Sequence, residues 1–486
     1  MSTRMVVLAV FAWFCATLQF AAATPSQVHL SYTGSDEGEM MVSYVTMEDT
    51  VDSVAKVRPY QSQEQWTEFS GNSVKFVDGG SKRSVRFVHR VVMSGLQAAA
   101  AYEYMVGDEK DGWSTVYKFN AMRSMENKTK DARPWRFICL ADMGLDNDRT
   151  LENITNLVQT SADAQAPYDA ILHAGDLAYD FHEKQGTVGD EFMAAIEPVA
   201  STVPYMTCPG NHESRYNFSH YRNRFSMPNY ESTENLWYSF NVGPVHFVSY
   251  STESYFDYQK GKALNDTLQR QYEWLQQDLE AANSARSTQP WIIVQGHRPL
   301  YCTNWYNATV GCGPEQEQSR HGSYRPGAGN NFAVEPLFYK YGVDLWIGGH
   351  VHDYTRYWPV YNLEVKNGTT DPSNPYHNPR ATTYMTIGAA GNHEMHFYNG
   401  CIHDGACVYP SESPYAGGPS PFAACTAGTA PNCPDFNFGE MTVYNETHLH
   451  WVQHSSVQRK TIDEMWLIQE HHGSFEGRKL SAGNAT

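Results

Sequence analysis

The sequence predicts two layered units in series. A small all-β sandwich comes first, and an α/β (α+β) sandwich of mixed sheets flanked by helices follows. Two observations carry this. Residues 24–123 hold short alternating or β-branched runs, VHLSY, MMVSYVT, SVKFV, VRFVHRVVM, AYEYMVG and TVYKF, broken by Gly, Asp, Ser or Asn. That spacing suits a sandwich of fibronectin or immunoglobulin type. From Trp135 onward the apolar runs end in polar-glycine turns, as in RFICLADMG, AILHAGDLAY, PYMTCPGNHE, WIIVQGH and VDLWIGGHVH, with helical patterns between several of them. Strands alternating with helices build sheets covered by helices. Ligands gather at the carboxyl ends of such strands.

Each segment follows in order. Residues 1–23 have Arg4, an apolar stretch from Met5 to Phe14, and small residues at Ala21, Ala22 and Ala23. This is the pattern of a secretory leader. No other run is apolar over the ~20 residues of a membrane span. Residues 124–134, SMENKTKDARP, read as a polar linker, and residues 135–472 as the large α/β domain. Within it, Phe192, Ile196 and Val199 share one helical face, and Leu268, Tyr272, Leu275 and Leu279 share another. Residues 396–437 are rich in Gly, Pro, Ser and Cys and read as a long loop. Residues 438–472 give two strands turning at Asn445 and Glu446, and residues 473–486 form a polar tail.

The 486-residue chain carries a formal charge of −18. That argues against nucleic acid or an anionic membrane surface as a partner, since both need clustered Lys and Arg. An anionic substrate would have to be drawn by something else, such as a metal. Eight N-x-S/T sequons, at Asn127, Asn153, Asn217, Asn265, Asn307, Asn367, Asn445 and Asn484, suit a glycoprotein. The cysteines beyond the leader are even in number. Cys302, Cys312, Cys401, Cys407, Cys425 and Cys433 sit in loop-like sequence and are disulfide candidates. Cys139 and Cys208 lie in apolar strands, where buried thiols compete with a bridge. The chain is expected to be secreted, extracellular or in a lysosome-like compartment. Nothing in it sets the oligomeric state.

The tetrapeptide Gly-Asn-His-Glu occurs twice, at 210–213 and 391–394. The polar residues closing the strands decide between the copies. Asp142 closes FICLAD. Asp176 closes AILHAGD, with Tyr179 just beyond it. Asn211 and His212 follow YMTCPG, His297 closes WIIVQG, and His350 and His352 close LWIGG. Any one of these is ordinary as a turn former or loop histidine. Together, at strand ends of one domain, carboxylate and imidazole ligands suit Zn, Mn or Fe. They are too many for one catalytic zinc and suit two metals that share a carboxylate.

In order, these blocks are Asp142-Met143-Gly144, Gly175 to Tyr179, Gly210 to Glu213, Val294 to His297 and Gly349 to His352. The set resembles the five motif blocks of the purple acid phosphatases, of the metallophosphoesterase superfamily. Members with an N-terminal fibronectin-like domain share this layout. The resemblance implies that Asp142, Tyr179 and His352 hold Fe(III). Asn211, His297 and His350 would hold one divalent metal (Zn, Mn or Fe(II)), with Asp176 bridging. Gly144 stands where the wider superfamily usually has a histidine, and a tyrosinate from Tyr179 would replace that ligand. His212 would face the substrate, as a phosphate-binding or proton-donating group. The implied function is a secreted binuclear acid phosphatase acting on small phosphate monoesters through a metal-bound hydroxide.

The first Gly-Asn-His-Glu copy falls within the block series. The second follows it, so Asn392 and His393 are placed in a loop near the site. After the V-x-x-H block, plant-type members carry extra histidines. This chain offers Arg298, Tyr301 and Tyr306, with His321 as a distant substitute, and Thr355 where a glutamate is common. Two rivals follow. One is a phosphodiesterase or nucleotide pyrophosphatase on the same core. The other is a secreted binding glycoprotein with a decayed core, against which the intact ligand set speaks.

Overall fold

The structure, a computed structural model, describes residues 24–34, 37–125, 133–147, 149–163, 167–256, 262–301, 318–322, 332–370, 375–392 and 436–480. The leader, the six disulfide-candidate cysteines, Tyr306, His393 and the sequons at Asn127, Asn307 and Asn484 lie outside these residues.

Two sheets form the N-terminal sandwich. One orders the strands Ser26–Ser31, Met40–Thr46, Val85–Met93 and Asn72–Val77. The other is built on Thr67–Ser70, Val54–Pro59 and Ala101–Asp108. Alternation is clear in Ala101–Asp108, where Tyr102, Tyr104 and Val106 point inward and are buried. Met40–Thr46 is buried along its whole length. One of its faces fills the sandwich, and on the other Ser43 Oγ donates to Ser226 Oγ of the α/β domain at 2.8 Å. The domain interface therefore erases the expected polar face.

Two six-stranded sheets make the α/β domain. The first runs Tyr205–Cys208, Ala170–Ala174, Trp135–Leu140, Asn437–Val443, His448–Ser455, Lys460–Ile468. Its first three strands are parallel. In the second sheet Val245–Tyr250, Trp291–Gln295, Leu345–Gly348 and Thr383–Ile387 are parallel, with antiparallel strands at both edges. The sheets meet through rings such as Phe137 and Phe247, whose centroids are 4.8 Å apart. The helices Thr187–Ala200 and Lys262–Ser284 bury Phe192, Ile196, Val199, Leu268, Leu275 and Leu279, as their spacing requires.

Two readings need correction. After the strands around Asn445 comes a third, Lys460–Ile468. Its polar first half hides the pattern. Nor do residues 473–480 behave as a polar tail. Phe475 is fully buried, its N–H donates to the Tyr339 carbonyl at 3.0 Å, and Arg478 caps the Gly473 and Ser474 carbonyls. One aromatic residue among Gly, Ser and Arg is enough to dock this segment. Cys139 and Cys208 are free, buried thiols, on strands separated by Ala170–Ala174.

Candidate metal centre

The candidate ligands sit where parallel strands end. Asp142 follows Trp135–Leu140, Asp176 and Tyr179 follow Ala170–Ala174, and Asn211 follows Tyr205–Cys208. From the second sheet, His297 follows Trp291–Gln295, and His350 and His352 follow Leu345–Gly348. Four of them have left-handed backbones: Asp142 at φ 59°, Asp176 at 49°, Tyr179 at 50° and His350 at 68°. Such conformations cost about 1–3 kcal/mol each and gather at functional sites.

Two groups of donor atoms result. In one, the Tyr179 hydroxyl lies 3.0 Å from Asp142 Oδ1 and 2.9 Å from His352 Nε2, and His352 Nε2 lies 3.4 Å from Asp142 Oδ1. In the other, His297 Nε2 is 3.0 Å from Asp176 Oδ2 and 3.2 Å from Asn211 Oδ1. Asp176, His297 and His350 bring ligand atoms within 4.8 Å of one another. His297 Nδ1 donates to the Ala174 carbonyl at 3.0 Å, so the inward-facing Nε2 holds the ring's other proton beside Asp176 and would give a metal its lone pair on losing it.

Charge balance points the same way. Burial alone would raise the Asp176 carboxyl, but His297 and His212 hold it well below the usual range. Burial alone would lower His297, but Asp176 and Asp142 push it up to about 9. The clustered acids call for positive charge. Carboxylate, phenol, amide and imidazole donors in two adjoining groups fit a pair of cations.

The loops are tightly set. Glu213 accepts the backbone N–H groups of Asp176, Leu177 and Gly210, so the glutamate of the first Gly-Asn-His-Glu copy ties two ligand loops together. Burial and the neighbouring Asp176 charge push its carboxyl up to about 7. The second copy is also used. Asn392 donates its backbone N–H at 3.2 Å and its Nδ2 at 2.9 Å to the Asp142 carbonyl. It is a brace on a ligand loop, in keeping with its place outside the block series. Gly349 is required by close approach, since a Cβ there would lie 2.1 Å from Asp142 Oδ2. At Gly144, φ is +61° and a Cβ would press on Tyr179 at 3.2 Å, so a larger residue here competes with the tyrosine.

His212 packs against Tyr179 with centroids 4.4 Å apart. Its Nδ1 lies 3.2 Å from Asp180 Oδ1, and its Nε2 lies 3.9 Å from Asp176 Oδ2. Arg298 is anchored by Glu253 at 2.9 Å and reaches His350 Nε2 at 2.9 Å, a cation beside the centre. Tyr301 is instead turned to Glu335. Thr355 is buried and faces Asp353. Sequence reasoning missed Asp180, Glu213 and the Asn392 contact. Asp180 and Glu213 sit next to or inside the motif blocks, which was their only signal.

Comparisons agree over most of the chain. The family model described as "Purple acid Phosphatase, N-terminal domain" matches residues 25–121, "Calcineurin-like phosphoesterase" matches 136–354, and "Iron/zinc purple acid phosphatase-like protein C" matches 381–464. Acid phosphatase type 7 of Homo sapiens is 38% identical, with 93% of this chain and 92% of that protein covered. Its Danio rerio counterpart is 39% identical over 92% of each. Purple acid phosphatase 22 of Arabidopsis thaliana is 30% identical over 91% of this chain and 85% of that protein. The structure of purple acid phosphatase PPD1 from yellow lupin seeds superposes with a TM-score of 0.68 at 21% identity, covering 92% of this chain and 75% of that one, and shares the fold.

Proposed function

The chain belongs to the purple acid phosphatase family and is an acid phosphatase, and from that premise we propose that it is a secreted enzyme that hydrolyses small phosphate monoesters at a binuclear metal centre. The observation behind this reading is the pairing of two donor groups, Asp142–Tyr179–His352 and Asp176–His297–Asn211–His350, at one end of both sheets. The first group would hold Fe(III) and the second a divalent Zn, Mn or Fe, with Asp176 shared. Bound there, the two cations would supply positive charge for the phosphoryl group and acidify a water molecule.

The chain's own residues do the rest. Asp180 and the Tyr179 ring fix the His212 imidazole. With Nδ1–H directed at the Asp180 carboxylate, a protonated ring presents its second proton on Nε2, toward the centre. That proton can pass to the leaving alkoxide oxygen. Arg298, held by Glu253, places a fixed cation where an anionic substrate would arrive.

Purified protein from a secreting host tests this reading. It should carry two metal ions per chain, absorb visible light through a Tyr179 tyrosinate, and hydrolyse p-nitrophenyl phosphate faster than bis(p-nitrophenyl) phosphate. Tyr179→Phe should lose the visible band. Fewer than two metals, or a preference for the diester, would overturn it.

A further inference from the structure

We infer that an N-linked glycan on Asn445 lies across an aromatic shelf on the outer face of the first sheet. This rests on the secretory reading, since only an exported chain meets the glycosylating machinery. Tyr444 is 49% exposed and Trp466 is 43% exposed, and their rings touch with centroids 5.3 Å apart. His450 stacks on the same indole at 4.3 Å, and His448 meets its edge at 6.3 Å. Exposed large aromatics grouped in this way mark a surface with something to bind.

The shelf lies away from the metal centre. Val443 pairs with Trp135, at the amino end of Trp135–Leu140, whereas Asp142 follows the carboxyl end of that strand. A phosphate substrate therefore does not explain it. The sequon Asn445-Glu446-Thr447 does. It forms the turn between Tyr444 and His448, both of which contact Trp466. Asn445 Oδ1 accepts from the Thr447 N–H at 2.8 Å, the Thr447 hydroxyl at 3.0 Å and the His448 N–H at 2.9 Å. Those bonds fix the exposed amide by its oxygen and leave the nitrogen, the atom that carries a glycan, outside the set. Asn153 differs, because its Nδ2 already donates to the Ser456 carbonyl at 2.8 Å.

The chemistry matches. Asn445 Nδ2 bonds to the anomeric carbon of an N-acetylglucosamine delivered as a lipid-linked diphosphate. The diphosphate leaves, and the nitrogen gives up one proton. One face of that pyranose presents only C–H groups, which pack on the electron-rich face of an indole. The first sugars would cover the shelf at little entropic cost, because the tether holds them beside it.

The test uses the full chain secreted from cultured animal cells. Glycopeptide mass spectrometry should find Asn445 occupied. Thr447→Ala should lower the thermal midpoint by about 1–2 °C more in the glycosylated chain than in the same chain made without sugar, a comparison that subtracts the lost Thr447 hydroxyl bond, and that excess should vanish in a Trp466→Ala background. Endoglycosidase trimming to a single sugar on the unmutated chain should keep most of the effect, and phosphatase activity should be unchanged throughout. The proposal fails if other sequons carry sugar while Asn445 does not, or if the two losses simply add. Dimerisation of the unglycosylated chain through Trp466, with Asn445 unoccupied on the secreted protein, would make a second copy the occupant. A chain retained in cells without sugar would overturn this proposal and the secretory reading together, whereas a secreted chain bare only at Asn445 overturns this one alone.

Discussion

At His212 the question is where one proton sits. The ring is held between Tyr179 and Asp180, with its backbone N–H on Asp176 Oδ1 at 2.9 Å. It touches the centre without belonging to either donor group. Its loss should therefore spare metal binding and fall on the leaving-group step. General acid assistance is worth ~10²–10⁴-fold. His212→Ala should lose rate by about that order on alkyl phosphates, and much less on p-nitrophenyl phosphate, whose leaving group needs no proton. Asp180→Asn should reproduce the pattern at smaller size, because the ring remains but its orienting carboxylate is gone. Metal content and the visible band should be unchanged in both. Equal losses on good and poor leaving groups would reduce His212 to a phosphate-positioning role.

Among the elements, the turn after Thr383–Ile387 shows how a repeated motif can take a different task. Asn392 is buried, and its two N–H groups converge on the carbonyl of Asp142, whose φ of 59° is unfavourable without support. Asn392→Asp keeps the shape and replaces the Nδ2 donor with an oxygen that repels that carbonyl. The affinity of the Tyr179 side for iron should drop on the order of tenfold, with a shifted visible band and an intact divalent site. Asn211→Ala should do the reverse. In the metal-free protein, amide exchange at Asp142 and Gly144 should quicken in Asn392→Asp, which reads the brace without any metal. Unchanged exchange would leave Asn392 as packing only. The sequence could place Asn392 near the site, because block order is a one-dimensional signal. It could not reveal the brace, which depends on how the second sheet lies over the first. Strand ends and helix faces were legible for the same reason that Leu275 and Leu279 were: their period is local. Lys460–Ile468 was not, because only Met465 and Leu467 of its nine residues are buried and the rest carry no apolar period; nor was Phe475, because residues distant in sequence bury it.

At the scale of the whole molecule, the sandwich is locked to the α/β domain by buried polar contacts. Arg86 grips Asp190 through Nε at 2.7 Å and Nη2 at 2.6 Å, Arg224 reaches the same carboxylate at 2.9 Å, and His220 contacts Asp78 at 2.7 Å. Helix Thr187–Ala200, which carries Asp190, directly follows the loop bearing Tyr179 and Asp180. Removing one partner would leave a buried charge unpaired, so this interface is sensitive to protonation. Both His29, which packs on Phe225 of the α/β domain, and His89, enclosed in the sandwich, are buried. Burial lowers both to about 4; nearby Arg90 adds to this in each and Arg224 at His29, while Asp108 and Asp49 oppose it at His89. Both rings are therefore neutral in the folded chain, where the unfolded chain begins to protonate near 6.5. Their stabilising contribution is complete above that pH and is lost between about 6.5 and 4. Each could amount to roughly 3 kcal/mol across that window. Glu213, with its carboxyl raised to about 7, works in the opposite sense over part of it. The difference between variants is thus the informative measure. Replacing His89 by Gln keeps a polar group between Ser53 and Thr46 and removes the titration. Denaturant unfolding of His89→Gln should fall less steeply than that of the parent chain from pH 6.5 to 4. Parallel profiles would mean that the ring already protonates at its ordinary pH in the folded chain, and that enclosure between Ser53, Thr46 and Tyr44 leaves its titration unmoved.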